Sequence, residues 1–207
     1  TKLAIAKRKV ELENNESILR TDSLFFDRQK QEAYYQTTGE ITSEETVIRS
    51  QSGTYVVDDK KYEFISDVVV TDPSFTIFSQ RMDYYTDVRH AYFYGATTIN
   101  GEDYDVFCHR GFFDSNLKKG YFQDRATVDY NLRNIKGDSI YFDDHIQYAA
   151  ANRNVQITDT IGNNVIRGEY GEVFKDKDSA IVTQNPIAVK LVDRDSLYIH
   201  ADTLLAT

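Results

Sequence analysis

Along most of this 207-residue chain apolar residues recur at a spacing of two, as in Val68-Val70 and Val155-Ile157. That spacing predicts strands, whose successive side chains point to opposite faces, and leaves little room for helices. A longer period is laid over the short one. With Leu24 as phase zero, the equivalent positions are Gly53, Met82, Gly111, Ile140, Gly171 and Leu204, separated by 29, 29, 29, 29, 31 and 33 residues. Self-similarity at such an interval marks a stacked fold in which each unit buries its apolar face against its neighbours.

The columns of the repeat are chemically coherent. Five positions before phase zero stand Leu19, Ile48, Ile77, Val106, Ile135, Ile166 and Ile199, all branched aliphatics. Three before it come Thr21, Ser50, Ser79, Cys108, Gly137, Gly168 and Ala201, all small. Two after it come Phe26, Tyr55, Tyr84, Phe113, Phe142 and Val173, and seventeen after it Ile41, Val70, Ile99, Val128, Ile157 and Ala188. β-Branched and aromatic types dominate, as in strands. The apolar register changes parity between the small column and phase zero, which a regular strand cannot do without turning its core face to solvent. A bulge or corner is expected there, with glycine at phase zero serving it. Polar gaps such as Asp58 to Lys61, Asp114 to Asn116, Asn100 to Asp103 and Gly162 to Asn164 supply the turns.

The expected architecture is one all-β domain over residues 1–207, since no linker, charge block or low-complexity tract interrupts the period. The chain opens and closes in mid-repeat, which suggests a piece of something longer. Its longest apolar stretches are far below the roughly 20 residues of a membrane-spanning helix.

Candidate chemistry is sparse. A net charge of −9 argues against nucleic acid, which demands a basic stripe. Cys108, the lone cysteine, occupies the small-residue column and reads as buried rather than reactive. The four histidines, His90, His109, His145 and His200, fall at unrelated phases, so no metal pair is expected and no cofactor is implied. Acidic columns at Asp22, Asp138, Glu169 and Asp202, and at Asp58, Asp87 and Asp176, suit solvated turns. The glycine-rich nonapeptide of a calcium-binding roll is absent, as are the common hydrolase, protease, phosphate-loop and dinucleotide fingerprints. No enzyme is expected. The apolar columns then have two readings: a self-filled core, or a groove that takes an apolar ligand along its length.

Segments such as Thr21-Asp22-Ser23-Leu24-Phe25-Phe26-Asp27 and Gly137-Asp138-Ser139-Ile140-Tyr141-Phe142-Asp143 resemble the OstA/LptA-like family. So do Asp195 to Leu204 and the Ala33-Tyr34-Tyr35 and Ala91-Tyr92-Phe93-Tyr94-Gly95 stretches, and the pattern recurs in register through residues 10–207. The resemblance implies a β-jellyroll of two antiparallel sheets, V-shaped in cross-section and open at both ends. It implies periplasmic carriage of lipopolysaccharide from the inner to the outer membrane, with acyl chains in the apolar interior.

On that reading Ile48, Ile77, Val106, Ile135 and Ile166 form one wall of the groove. Ile41, Val70, Ile99, Val128 and Ile157 form the other, with Tyr55, Tyr84, Phe113 and Phe142 as the seam. Other jellyroll domains of the transport bridge are the implied protein partners, docking through exposed terminal strands, and end-to-end self-association follows from the same edges. Arg20, Arg49, Lys136 and Arg167, at one phase, form either a basic stripe for phosphates or ordinary solvated strand positions. A structural or adhesive solenoid with a dry core, and a carbohydrate-active enzyme with a polar carboxylate cleft, remain alternatives.

Overall fold

In the computed structural model, residues 2–13, 17–130, 132–161, 164–192 and 195–207 are described, Leu191 and Val192 by their backbone alone. The Gly162-Asn163 part of one expected turn lies outside these residues. The described residues form strands and turns without a helix. In chain order the strands are β1 (Leu3–Glu13), β2 (Ile18–Asp27), β3 (Glu32–Tyr35), β4 (Gly39–Ser43), β5 (Thr46–Ser50), β6 (Ser52–Val56), β7 (Lys61–Asp72), β8 (Phe75–Tyr85) and β9 (His90–Gly101). There follow β10 (Tyr104–Asp114), β11 (Lys119–Tyr130), β12 (Arg133–Asp143), β13 (Tyr148–Asp159), β14 (Asn164–Phe174), β15 (Ser179–Thr183), β16 (Ile187–Val192), β17 (Asp195–His200) and β18 (Thr203–Ala206). They gather into two compact units, Thr1–Glu102 and Asp103–Thr207.

Within each unit the strands meander, pairing antiparallel with their neighbours, and the 29-residue period becomes two strands per rung. The hairpin after each phase-zero strand turns through a residue of positive φ at the same phase: Gln31, Lys60, Arg89, Lys118, Gln147 and Asp178. Successive turns are tied together, since the amides of Val57, Thr86, Asp144 and Lys175 donate to the carbonyls of Gln31, Lys60, Lys118 and Gln147. Asp27, Asp114 and Asp143 open their turns by accepting backbone N–H groups through Oδ1. This is how a short carboxylate initiates a turn.

The expected corner is present, and its construction differs from expectation. The register slips beside Ser66-Asp67, Asp124-Arg125 and Arg153-Asn154, where two consecutive residues take positive φ. Arg8-Lys9 and Gln184-Asn185 share that conformation, and Gly95 alone carries it at the equivalent place in β9. The corner residues thus lie on the strand opposite the parity change, thirteen and fourteen positions after phase zero. Phase-zero glycine has another purpose. A side chain at Gly53 would strike the ring of Tyr35, its cross-strand partner, at 2.6 Å. Along this row Gly53 stands between the rings of Tyr35 and Phe64, and the flexible Met82 between Phe64 and Phe93, so the rings find room to pack.

The corner divides each long strand into two arms, and the arms assemble two half-sheets with a common interior. In the second unit the half-sheets meet where the rings of Tyr104 and Tyr130 pack on Phe142, with centroids 4.7 and 5.2 Å apart. This bears out the all-β, repeat-built fold expected from the columns and the β-jellyroll that the resemblance implied.

Candidate functional site

The predicted groove residues fall on the interior face, as their periodicity requires. Ile41, Ile48, Val70, Ile77, Ile99, Val106, Val128, Ile135, Ile157, Ile166, Phe113 and Phe142 are all buried, while Tyr55 and Tyr84 are half-buried. The wall assignment is corrected by the register. Ile41 pairs with Ile48, Ile48 with Val70, Val70 with Ile77 and Ile77 with Ile99. In the second unit the row runs Val106, Val128, Ile135, Ile157, Ile166 and Ala188. The two aliphatic columns therefore alternate along one half-sheet and form a single wall. The reason is strand polarity: antiparallel neighbours set residues five before and seventeen after phase zero opposite each other.

The facing wall is aromatic and small. Its rows are Tyr55, Tyr62, Tyr84 and Ala91 in the first unit, and Phe113, Gly120, Phe142, Ala149 and Val173 in the second. A further column eleven after phase zero, Tyr35, Phe64, Phe93 and Phe122, was not singled out from sequence and is buried throughout. Its signal was there, because it stands two residues beyond Ala33, Tyr62, Ala91 and Gly120 and so continues the same face.

Polar groups inside the units are satisfied near the corner. The hydroxyl of Tyr35 meets Ser50 Oγ at 2.6 Å, and Ser79 Oγ meets Thr97 Oγ1 at 2.8 Å. Cys108 is buried as expected, and desolvation pushes its thiol up to about 12, which keeps it protonated and inert. Burial first, and Tyr55 second, lift the Tyr62 hydroxyl to about 12.

Opposite the corner, the two turn edges of each unit are clasped by charge. In the second unit the Arg133 guanidinium, its side chain only 10% exposed, pairs with Asp178 Oδ1 and donates to the Asp178 carbonyl at 2.7 Å. Lys175 pairs with Asp103 at 3.0 Å, and its ammonium lies 4.8 Å from the centre of the Tyr130 ring. In the first unit Arg89 reaches Glu44 at 3.4 Å. Ordinary surface pairs contribute little, but these close the long edge of the interior.

Two members of the basic stripe, Arg20 and Arg49, are paired with carboxylates where they stand. Arg20 pairs with Glu11 at 3.0 Å and Arg49 with Glu40 at 2.8 Å, while Arg167 donates to Gln156 Oε1 at 3.1 Å. Among the described residues no group of three or more His, Cys, Asp or Glu is placed to hold a metal ion. At the chain's two ends the rungs are uncovered: Leu3, Ile5, Leu12, Leu197, Ile199 and Leu205 are all exposed.

Residues 1–80 match the model of a family described as OstA-like protein. Over that span the chain is similar to OstA-like proteins. The match bears out the resemblance carried by the repeats, and it takes in β1 to β7 together with the first half of β8. Columns of the OstA-like segment continue at the same phases through the second unit. Among solved structures, LptH is similar; it is the LptA-homologous periplasmic component of the lipopolysaccharide transport device of Pseudomonas aeruginosa. The likeness has 14% identity, covers 67% of this chain and 82% of that one, and has a TM-score of 0.31. None of the curated proteins matches this sequence.

Proposed function

We propose that this OstA-like chain is a non-enzymatic periplasmic carrier of lipopolysaccharide, holding acyl chains against the aliphatic wall of its repeat-built domain. The observation that carries the reading is the uninterrupted apolar row along each unit, joined to the family match over residues 1–80. Burial of one CH₂ is worth roughly 0.8 kcal/mol, so an acyl chain of about twelve carbons offers on the order of 10 kcal/mol before ordering costs. A row without polar interruption gives such a chain no deep trap along its path, which suits conduction. Entry requires the half-sheets to part, and the charged clasp of Arg133, Asp178, Lys175 and Asp103 is where they would part in the second unit.

The exposed rungs at both ends suit docking of another jellyroll domain, whether a bridge component or a second copy, because they present apolar strands without cover. A structural solenoid is the competing reading, favoured by the complete burial of Ile99, Val128 and Phe142. Mass spectrometry of lipid extracted from the protein purified out of a Gram-negative host decides between them. Carriage predicts lipid A in near-stoichiometric amount; a folded protein free of lipid A supports the solenoid.

A further inference from the structure

On the outer face of the first unit, three strands set nine side chains in a grid. β7 contributes Lys61, Glu63 and Ile65, β8 contributes Tyr85, Asp83 and Arg81, and β9 contributes His90 and Tyr92, with Tyr94 set beside Arg81 by a cation–ring contact. Asp83 is the centre, with Glu63 as its partner on one side and Tyr92 on the other. Although it points away from the interior, Asp83 is only 8% exposed, because the surrounding rings and long side chains cover it. Its Oδ1 makes no hydrogen bond, and the nearest cations stand off at 4.0 Å, Arg81 Nε from Oδ1 and Lys61 Nζ from Oδ2. A buried acceptor left in this way has lost its water without a replacement, so such a group calls for a donor.

We propose that this grid is a binding site for a pyranose ring of a saccharide. Tyr92 and Tyr94, 36% and 41% exposed, lie two residues apart on one strand, about 7 Å along it. Their rings offer the flat apolar surface against which the C–H face of a sugar stacks. A ring stacked on Tyr92 brings its edge hydroxyls over Asp83, the direct cross-strand neighbour, with Glu63 beyond. Oδ1 is closed to solvent in the unliganded chain, so one hydroxyl donates to it once the Arg81 side chain swings aside. Adjacent hydroxyls accept from Arg81, whose half-exposed guanidinium lies 5.4 Å from the Tyr94 ring centre and can swing without losing core packing. Lys61 is already held by Glu63 at 2.7 Å and lies 6.0 Å from the Tyr85 ring centre. It orients Glu63 rather than binding the ligand.

Charge selects the class of ligand. Lys61 and Arg81 balance Glu63 and Asp83, so the grid exerts little long-range pull on an ionic partner. Alternating donors and acceptors beside exposed rings match a neutral polyol. No interior residue takes part, so this site stands or falls separately from lipid carriage.

The test is an array of neutral pyranose oligosaccharides that includes cellohexaose and maltohexaose, followed by amide-shift titration of the labelled chain with the strongest binder. The expected result is binding with shifts at Arg81, Asp83, Tyr92 and Tyr94. A Tyr92→Ala/Tyr94→Ala double variant should weaken binding at least tenfold and Asp83→Asn about fivefold, both retaining wild-type circular dichroism. Either no glycan bound by the folded wild type, or binding unchanged in the two variants, overturns the proposal.

Discussion

Tyr130 and Phe142 meet edge to face, with ring centroids 5.2 Å apart and planes inclined at 83°, although they belong to different half-sheets of the second unit. The contact closes the interior opposite the corner, and Tyr104 adds a second ring on the same phenyl. Phe142→Ala removes a fully buried side chain from this junction. Its expected cost is about 3–5 kcal/mol, read in urea as a lower midpoint at an unchanged slope. A change of less than about 1 kcal/mol would mean the half-sheets do not depend on the contact.

The charged clasp should act on opening more than on stability. Arg133→Met keeps the apolar stem and deletes the contacts to Asp178, itself an exposed turn residue. A loss of about 1 kcal/mol is expected. Amide exchange should accelerate at Lys175 and Asp178 while the β12–β13 core keeps its protection. Uniform acceleration across the unit would instead mark the clasp as part of the cooperative core.

The paired left-handed residues at the corner give a sharp substitution test. A β-branched residue at Arg125, where φ is 65°, should cost about 1–2 kcal/mol, whereas glycine should be neutral to slightly stabilising. Thermal midpoints of Arg125→Val and Arg125→Gly measure the difference directly. Equal midpoints would mean that the corner does not hold this conformation in solution.

Burial holds the Asp83 carboxyl above its ordinary 3.8, and the flanking Lys61 and Arg81 do not reverse this. The native state therefore keeps that proton more tightly than the unfolded chain. The stability tied to it is full below the unfolded value and is lost as pH rises through the folded one. Asp83→Asn should accordingly raise the thermal midpoint near pH 7, with the gain shrinking as pH falls to about 4. A gain that is the same at both pH values would mean charge at Asp83 is not the cause.

The sequence made the strands legible because their interior columns repeat at one phase: Ile48, Ile77, Val106 and Ile135 are buried as the pattern required. The parity change also located the corner to within a few residues. What could not be read was which strand holds the bend. Ser66-Asp67, Asp124-Arg125 and Arg153-Asn154 are ordinary polar pairs, and only the register against the neighbouring strand forces them into positive φ. The wall error had the same origin, since a repeat fixes which residues face inward but not which inward columns lie side by side. The outer grid around Asp83 was invisible for a further reason. Its members come from three strands, and the phase of the central Asp83 holds Phe25, Thr54, Phe112 and Tyr141 in other rungs.

The central claim is that lipid acyl chains lie along the aliphatic wall. A photoreactive residue at Ile99, buried in that row, and another at the exposed turn residue Asp87 test it most directly when each variant is irradiated with purified lipopolysaccharide. The account predicts crosslinking at position 99 and none at 87. Crosslinking at neither position in a folded protein, or at 87 alone, would contradict it.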